Sequence, residues 1–197
     1  MNAELLIDHA WGRESCTIAD IHAYRQSKHS LSLSQILLRI YTAYEARLPM
    51  REMVESLVLE LLQIKAVTKC IHVHIGYAAE DVKSTGGSRT LAHYTDSFQE
   101  LCPAVLALFD KYKRPHELIR RIAVSFEDLV NKAAVPTEMD LFSNALTDTA
   151  EQEEHIQKTM LNIKGRFGKN AILRASSLQE EVTMQFRNTL VGGHNGE

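Results

Sequence analysis

Two histidines stand two apart in Cys70-Ile71-His72-Val73-His74-Ile75, the spacing that puts side chains on one face of a β-strand. Imidazoles so placed can share a metal ion, donate to phosphate oxygens or meet water. A zinc site needs a fuller ligand set. No Asp, Glu or further Cys with ligand spacing stands beside this pair, and Cys70 is a small residue of the kind that packs, so no metal site is expected. A second polar set, Lys28, Ser30, Ser32 and Ser34, alternates with Leu31 and Leu33, and a third, Arg121 and Ser125, alternates with Ile122, Val124 and Phe126. Rows of hydroxyl, imidazole and guanidinium groups suit phosphate oxygens, which fix the register of a nucleic acid without reading its bases. A merely solvated sheet face has the same composition. Nothing resembles G-x-S-x-G, a glycine-rich phosphate loop or a repeated carboxylate motif. Lys83-Ser84-Thr85-Gly86-Gly87 has phosphate-loop residue types in the wrong order and reads as a hairpin loop. Catalytic residues and a resident cofactor are not expected.

Those side chains need strands to hold them. From Ser27 strict alternation predicts a half-exposed strand, with Leu31 and Leu33 inward and Lys28, Ser30, Ser32 and Ser34 outward. Pro49 reads as the opening of a helix, because its missing N–H costs nothing in a first turn; Met50, Met53, Val54, Leu57, Val58, Leu61 and Ile64 give that helix one apolar face. The histidine segment is the second strand, and Gly86-Gly87 mark a turn into a short third strand over residues 88–93. Ser97 and Glu100 form a capping-box pattern ahead of a helix striped by Phe98, Leu101, Val105, Leu108 and Tyr112, which Pro115 ends. Residues 119–126 make the last strand.

One-sided strands and amphipathic helices in the order β-α-β-β-α-β imply an α+β fold. The expectation is a four-stranded, mostly antiparallel sheet with two helices on one face, ferredoxin-like or split βαβ. The other face stays open and would carry Lys28, Ser30, Ser32, Ser34, His72, His74, Arg121 and Ser125, with Arg89 nearby. It reads as lacking a wide apolar patch.

The 197 residues are 45% hydrophobic, enough for a real core. Lys+Arg total 22 against 25 Asp+Glu, a net charge of −3, so any positive charge offered to a nucleic acid must be local. Cys16, Cys70 and Cys102 are odd in number and far apart, which fits reduced thiols. No apolar run is long enough to span a bilayer, and MNAELLIDHAWG is not a secretory signal. A cytoplasmic chain without a membrane partner is expected.

By organisation, residues 1–27 read as the end of an element and a linker, 28–128 as the sheet domain, 129–147 as a polar linker, and 148–197 as a helix and tail. The helix is acidic at its start (Glu151, Glu153, Glu154) and basic at its end (Lys164, Arg166), with a stripe of Ile156, Met160, Ile163 and Phe167. The terminal GGHNGE reads as flexible.

Taken in order, Ser27-Lys28-His29-Ser30-Leu31-Ser32-Leu33-Ser34-Gln35-Ile36-Leu37, then His72-Val73-His74-Ile75-Gly76-Tyr77, then Ser88-Arg89-Thr90-Leu91, then Ile119-Arg120-Arg121-Ile122-Ala123-Val124-Ser125-Phe126, resemble the little-finger domain of Y-family translesion DNA polymerases. The run Arg166-Phe167-Gly168-Lys169-Asn170-Ala171-Ile172-Leu173-Arg174-Ala175-Ser176-Ser177-Leu178 is similar to the tail of the UmuC-like, ImpB/MucB/SamB subgroup, and His9-Ala10-Trp11-Gly12 to the segment leaving the thumb.

The resemblance implies a part in DNA repair and the SOS response. Polymerase chemistry in that family resides in palm carboxylates that hold Mg²⁺, which lie outside these segments, so the chain is expected to be the C-terminal portion of a longer enzyme and inactive alone. Carried over by position, Lys28, Ser30, Ser32, Arg89 and Arg121 are the implied contacts to a DNA primer–template, with Ser34, His72 and His74 beside the phosphate track. Glu138, Met139, Asp140, Leu141 and Phe142 resemble the five-residue peptide that docks on the bacterial sliding clamp, departing from it in Glu138 where glutamine is usual. The alternative, from another class, is an interaction scaffold that has lost DNA binding.

Overall fold

Leu31, Ile71, Val73, Ile75, Ile122, Val124 and Phe126 are apolar at every second position of their segments, and all are buried in one core. Burying a side chain of this size is worth about 1.5–3 kcal/mol. A computed structural model describes residues 29–135, 144–179 and 182–191, together with 7, 10–13, 17, 194 and 195. The elements around the core are β1 (Ser30–Tyr41), α1 (Ala43–Ile64), β2 (Ala66–Tyr77), β3 (Thr85–Thr95), α2 (Phe98–Tyr112) and β4 (Ile119–Glu127). The sheet order is β1-β4-β2-β3, with every neighbouring pair antiparallel. Each βαβ unit therefore encloses a strand of the other, β4 between β1 and β2, and β2 between β3 and β4. This is the expected α+β, split βαβ sheet, with the second and fourth strands in its middle.

Helix α1 begins at Ala43, so Pro49 lies inside it rather than in its first turn. The start is set by Thr42, whose hydroxyl accepts from the Glu45 N–H while the Glu45 carboxylate accepts from the Thr42 N–H at 2.7 Å. Gly86 and Gly87 likewise stand inside β3 rather than in a turn. A Cβ on Gly87 would come within 2.3 Å of the Tyr112 ring, so the glycine lets α2 lay that ring on the sheet.

Past β4 the expected linker starts with structure: β5 (Val130–Asn131) pairs with Ala66 and Val67 of β2, and Lys132–Ala134 form a 3-10 turn. The last long helix, α3 (Asn144–Phe167), begins before Asp148, which moves the acidic residues out of its first turn. Its packing differs from the expected stripe. Glu153, Gln157 and Met160 are buried, whereas Ile156 and Phe167 are exposed.

The polar face is chosen because it has partners. Glu153 accepts from the Ser97 hydroxyl at 2.6 Å and from the Gln99 N–H at 3.0 Å, capping α2 from outside. Farther on, Glu55 of α1 pairs with Arg174 at 2.9 Å and Lys164 at 3.8 Å. Glu52 accepts from the Thr183 and Met184 N–H groups, both at 2.9 Å, at the start of the short α4 (Met184–Arg187). Leu190–Val191 (β6) and His194–Asn195 (β7) pair in a small hairpin, so the described end of the chain has structure of its own. The described part of the tail lies against α1, and on the far side of the sheet Ser30, Ser32, Ser34 and Arg121 are exposed.

Candidate nucleic-acid interface

Strand register fixes which side chains share the open face. Ser32 pairs with Ser125, Ser125 with His72, and His72 with Ser88; Ser34 pairs with Ala123, Ala123 with His74, and His74 with Gly86. Directly opposed residues point to the same side of a sheet, so these form two parallel rows. Ser30, Ser32, Ser34 and Arg121 are exposed, while His72, His74 and Ser125 are half-buried. Six of the expected contact residues, Ser30, Ser32, Ser34, His72, His74 and Arg121, therefore meet on one face. Lys28 lies outside the described residues.

Arg89 does not join them. It pairs with Ile71, whose side chain is fully buried among the helices, so Arg89 points to the helix side of β3. The expectation that it lies near the open face is corrected by a parity that only the β2–β3 register reveals.

A cation that was not anticipated takes its place. Gly76 pairs with Arg121 but Tyr77 pairs with Ile119, leaving Arg120 as an extra residue on β4. Such a bulge turns two consecutive side chains the same way, and both arginines are exposed between the buried Ile119 and Ile122. Arg120 donates to the Leu37 carbonyl at 2.7 Å, and Arg121 Nε to the Ser34 hydroxyl at 3.2 Å. The signal was present in the sequence: two charged residues in succession break the alternation of an otherwise regular strand.

Across from Arg121, a Cβ on Gly76 would stand 3.1 Å from the arginine's own Cβ, so the glycine gives the guanidinium stem room. Burial first, then the charges of Arg121 and His72, push the His74 imidazole below its ordinary range, so His74 is neutral near pH 7. Burial, followed by the nearby carboxylates of Glu127 and Asp128, pushes the Cys70 thiol up and makes it a poor nucleophile. Among the described residues no group of three or more His, Cys, Asp or Glu could hold a metal ion. Among them also, no helix is long and apolar enough to cross a membrane.

The face is not polar throughout. β1 runs to Tyr41, well beyond the expected strand, and its second half exposes Ile36, Leu38 and Ile40. This apolar stretch coincides with the point where β1 leaves its pairing with β4 after Ile36, to rejoin it at Tyr41. Glu138, Met139, Asp140, Leu141 and Phe142 lie outside the described residues.

Comparison with known proteins adds the following. The impB/mucB/samB family C-terminal domain matches residues 28–141. DNA polymerase IV of Bacillus velezensis is 30% identical over 123 residues, 62% of this chain and 28% of that protein. A Bacillus subtilis protein named for UV-damage repair, UvrX, is 29% identical over 176 residues, 86% of this chain and 39% of its own. The chain thus spans well under half the length of either relative. Among solved structures, a post-insertion binary complex of Dbh DNA polymerase matches with a TM-score of 0.44 and 15% identity over 65% of this chain and 35% of that one. The little-finger domain of PolIV in complex with the beta-clamp processivity factor matches with a TM-score of 0.41 and 13% identity over 59% of this chain and 99% of that one.

Proposed function

From the premise that this chain belongs to the impB/mucB/samB family through its C-terminal, little-finger domain, we propose that it is the DNA-gripping part of a repair polymerase, holding a primer–template by its backbone without reading its bases. The observation that carries this is the open sheet face, on which Ser30, Ser32 and Ser34 line up with His72, His74, Arg120 and Arg121 while the tail packs elsewhere. Hydroxyls and guanidiniums in rows supply donors to successive phosphates. The overall charge of −3 makes the grip depend on this local patch.

Docking on a sliding clamp through Glu138, Met139, Asp140, Leu141 and Phe142 is part of the same proposal. It draws support from the likeness of those residues to a clamp-binding peptide. Placing Leu141 and Phe142 in an apolar pocket is worth about 3–6 kcal/mol before the ordering entropy is subtracted. Leu141→Ala with Phe142→Ala should then abolish capture by the clamp; undiminished capture would remove this part alone.

The DNA grip is tested by fluorescence anisotropy with a labelled primer–template at low and moderate salt. Binding that weakens steeply as salt rises is expected, because each phosphate contact releases counterions. Absence of binding at low salt would overturn the proposal in favour of an interaction scaffold.

A further inference from the structure

Away from the sheet face, a groove of about 770 Å³ lies between the end of α1, the 3-10 turn after β5 and the second half of α3. Leu62 and Leu161, both half-buried, give it apolar walls, and Lys65, Lys132, Lys158 and Arg166 give it cations. One wall is fixed in place, because the Lys132 N–H donates to the Lys65 carbonyl at 2.9 Å and so fastens the turn to the end of α1. The acidic groups of the lining are Asp96 and Glu154. Lys132 pairs with both, at 2.8 and 3.2 Å, and Lys158 pairs with Glu154. Lys65 and Arg166, both exposed, are the cations left to meet the charge of a ligand.

Apolar walls beside spare cations fit an acidic peptide that carries large apolar side chains. The chain contains one: Glu138-Met139-Asp140-Leu141-Phe142, outside the described residues, sets two carboxylates beside adjacent Leu and Phe. It cannot serve the groove of its own chain. Helix α3 starts at Asn144, and Leu161 stands seventeen residues further on, about 25 Å along the axis. Leu141, three residues before Asn144, reaches only about 10 Å from it.

We propose that the groove receives the Glu138 to Phe142 segment of a second copy of this chain. Leu141 and Phe142 lie against Leu62 and Leu161, and Glu138 and Asp140 are met by Lys65 and Arg166. Exchange in both directions closes a two-fold dimer. The inference goes beyond the DNA grip and does not depend on it. A segment held in this way is withdrawn from other partners, so self-association and clamp docking exclude one another.

The test titrates the full chain into a labelled peptide of residues 136–143 and follows the chain alone by sedimentation velocity over the micromolar range. Saturable peptide binding and a concentration-dependent shift from monomer to dimer are expected. A peptide with Glu138→Gln and Asp140→Asn should bind about tenfold more weakly, and Arg166→Glu, an exposed change, should weaken both readouts about tenfold. Lys65 has a left-handed φ of 54°, which Asn tolerates, so Lys65→Asn spares the backbone and should weaken both about threefold. Leu141→Ala with Phe142→Ala should leave the chain monomeric while its groove still binds the unaltered peptide. A chain that stays monomeric throughout, or a dimer that survives the Leu141 and Phe142 changes, overturns the inference. So does peptide binding indifferent to both Arg166→Glu and Lys65→Asn. None of these readouts involves DNA or the clamp, so the proposals above stand or fall separately.

Discussion

The carboxylate of Glu153 caps a helix to which it does not belong: its Oε2 lies 2.6 Å from the Ser97 hydroxyl, the N-cap of α2, 56 residues away. Its other oxygen takes the Gln99 N–H and the Gln157 side-chain amide, both at 3.0 Å. A negative group at a helix N-terminus is favoured by unpaired N–H donors and the helix dipole. Glu153→Ala would leave these donors without their acceptor, so urea denaturation should report a loss of about 1–3 kcal/mol. Amide exchange should quicken along α3 first. Unchanged exchange in α3 would show that the tail is held by other contacts.

How much of this could be read in the sequence varied with the source of the information. Alternation placed Leu31, Ile71, Val73, Ile122, Val124 and Phe126 in the core, because a strand's period is local and strict. Pro49 suggests a first turn, yet α1 starts at Ala43, where Thr42 and Glu45 spell the same cap pattern as Ser97 and Glu100. In α2 that pattern closes only in part: the Ser97 hydroxyl accepts from the Glu100 N–H, while the Glu100 carboxylate bonds His93 at 2.9 Å. The side on which Arg89 lies depends on register across two strands, and the buried face of α3 on partners in α1 and α2. Neither is written in the local pattern.

Gly87 makes a sharp steric prediction. Its missing side chain is what lets Tyr112 lie on β3, so Gly87→Ala should displace the ring and cost about 1–3 kcal/mol, the usual penalty of overpacking. Because one clash causes the loss, pairing it with Tyr112→Ala should cost less than the two changes summed. Thermal unfolding of the four proteins measures this coupling, and strict additivity would contradict the geometry.

Glu45 ties stability to pH in the acid range. Hydrogen bonding from Arg39 first, and then from the Thr42 N–H and hydroxyl, holds its carboxyl at about 2 against an ordinary 4.5. A group whose folded-state value is depressed stabilises the fold above its unfolded value and loses that contribution as pH falls. The stability difference between the parent and Glu45→Gln should therefore be full above about pH 4.5 and shrink towards pH 2. Thr42→Ala, which removes the other half of the cap, should cost about 1 kcal/mol near neutral pH. A difference between parent and Glu45→Gln that does not change with acid would rule out this role for the carboxylate.

Salt dependence distinguishes the two sides of the sheet. If Arg121 holds a phosphate, Arg121→Ala should lower affinity for primer–template DNA and flatten the slope of log affinity against log salt by about 1. Arg120→Ala should do the same, since the bulge turns both guanidiniums outward. Arg89→Ala, on the helix side beside Ile71, should leave the slope as it was. An Arg89 effect equal to that of Arg121 would place the DNA across the edge of β3 instead.

His74 reports on the same arginine without any DNA. Burial and then the Arg121 charge depress its imidazole below the ordinary 6.5, so the folded protein prefers the neutral ring and loses this stabilisation as pH falls below the unfolded value. Removing the guanidinium in Arg121→Ala eliminates one of the causes, second after burial, and should move the His74 titration midpoint upward, read from its ring proton by NMR. Phosphate oxygens along the Ser125–His72 row act in the opposite sense to Arg121, favouring the charged ring. Primer–template DNA added to the unaltered protein should therefore also raise the midpoint, and affinity should grow as pH is lowered through that range. A midpoint that shifts in the arginine variant but not with DNA would confine the cluster to a structural role and leave the phosphate track to the serines.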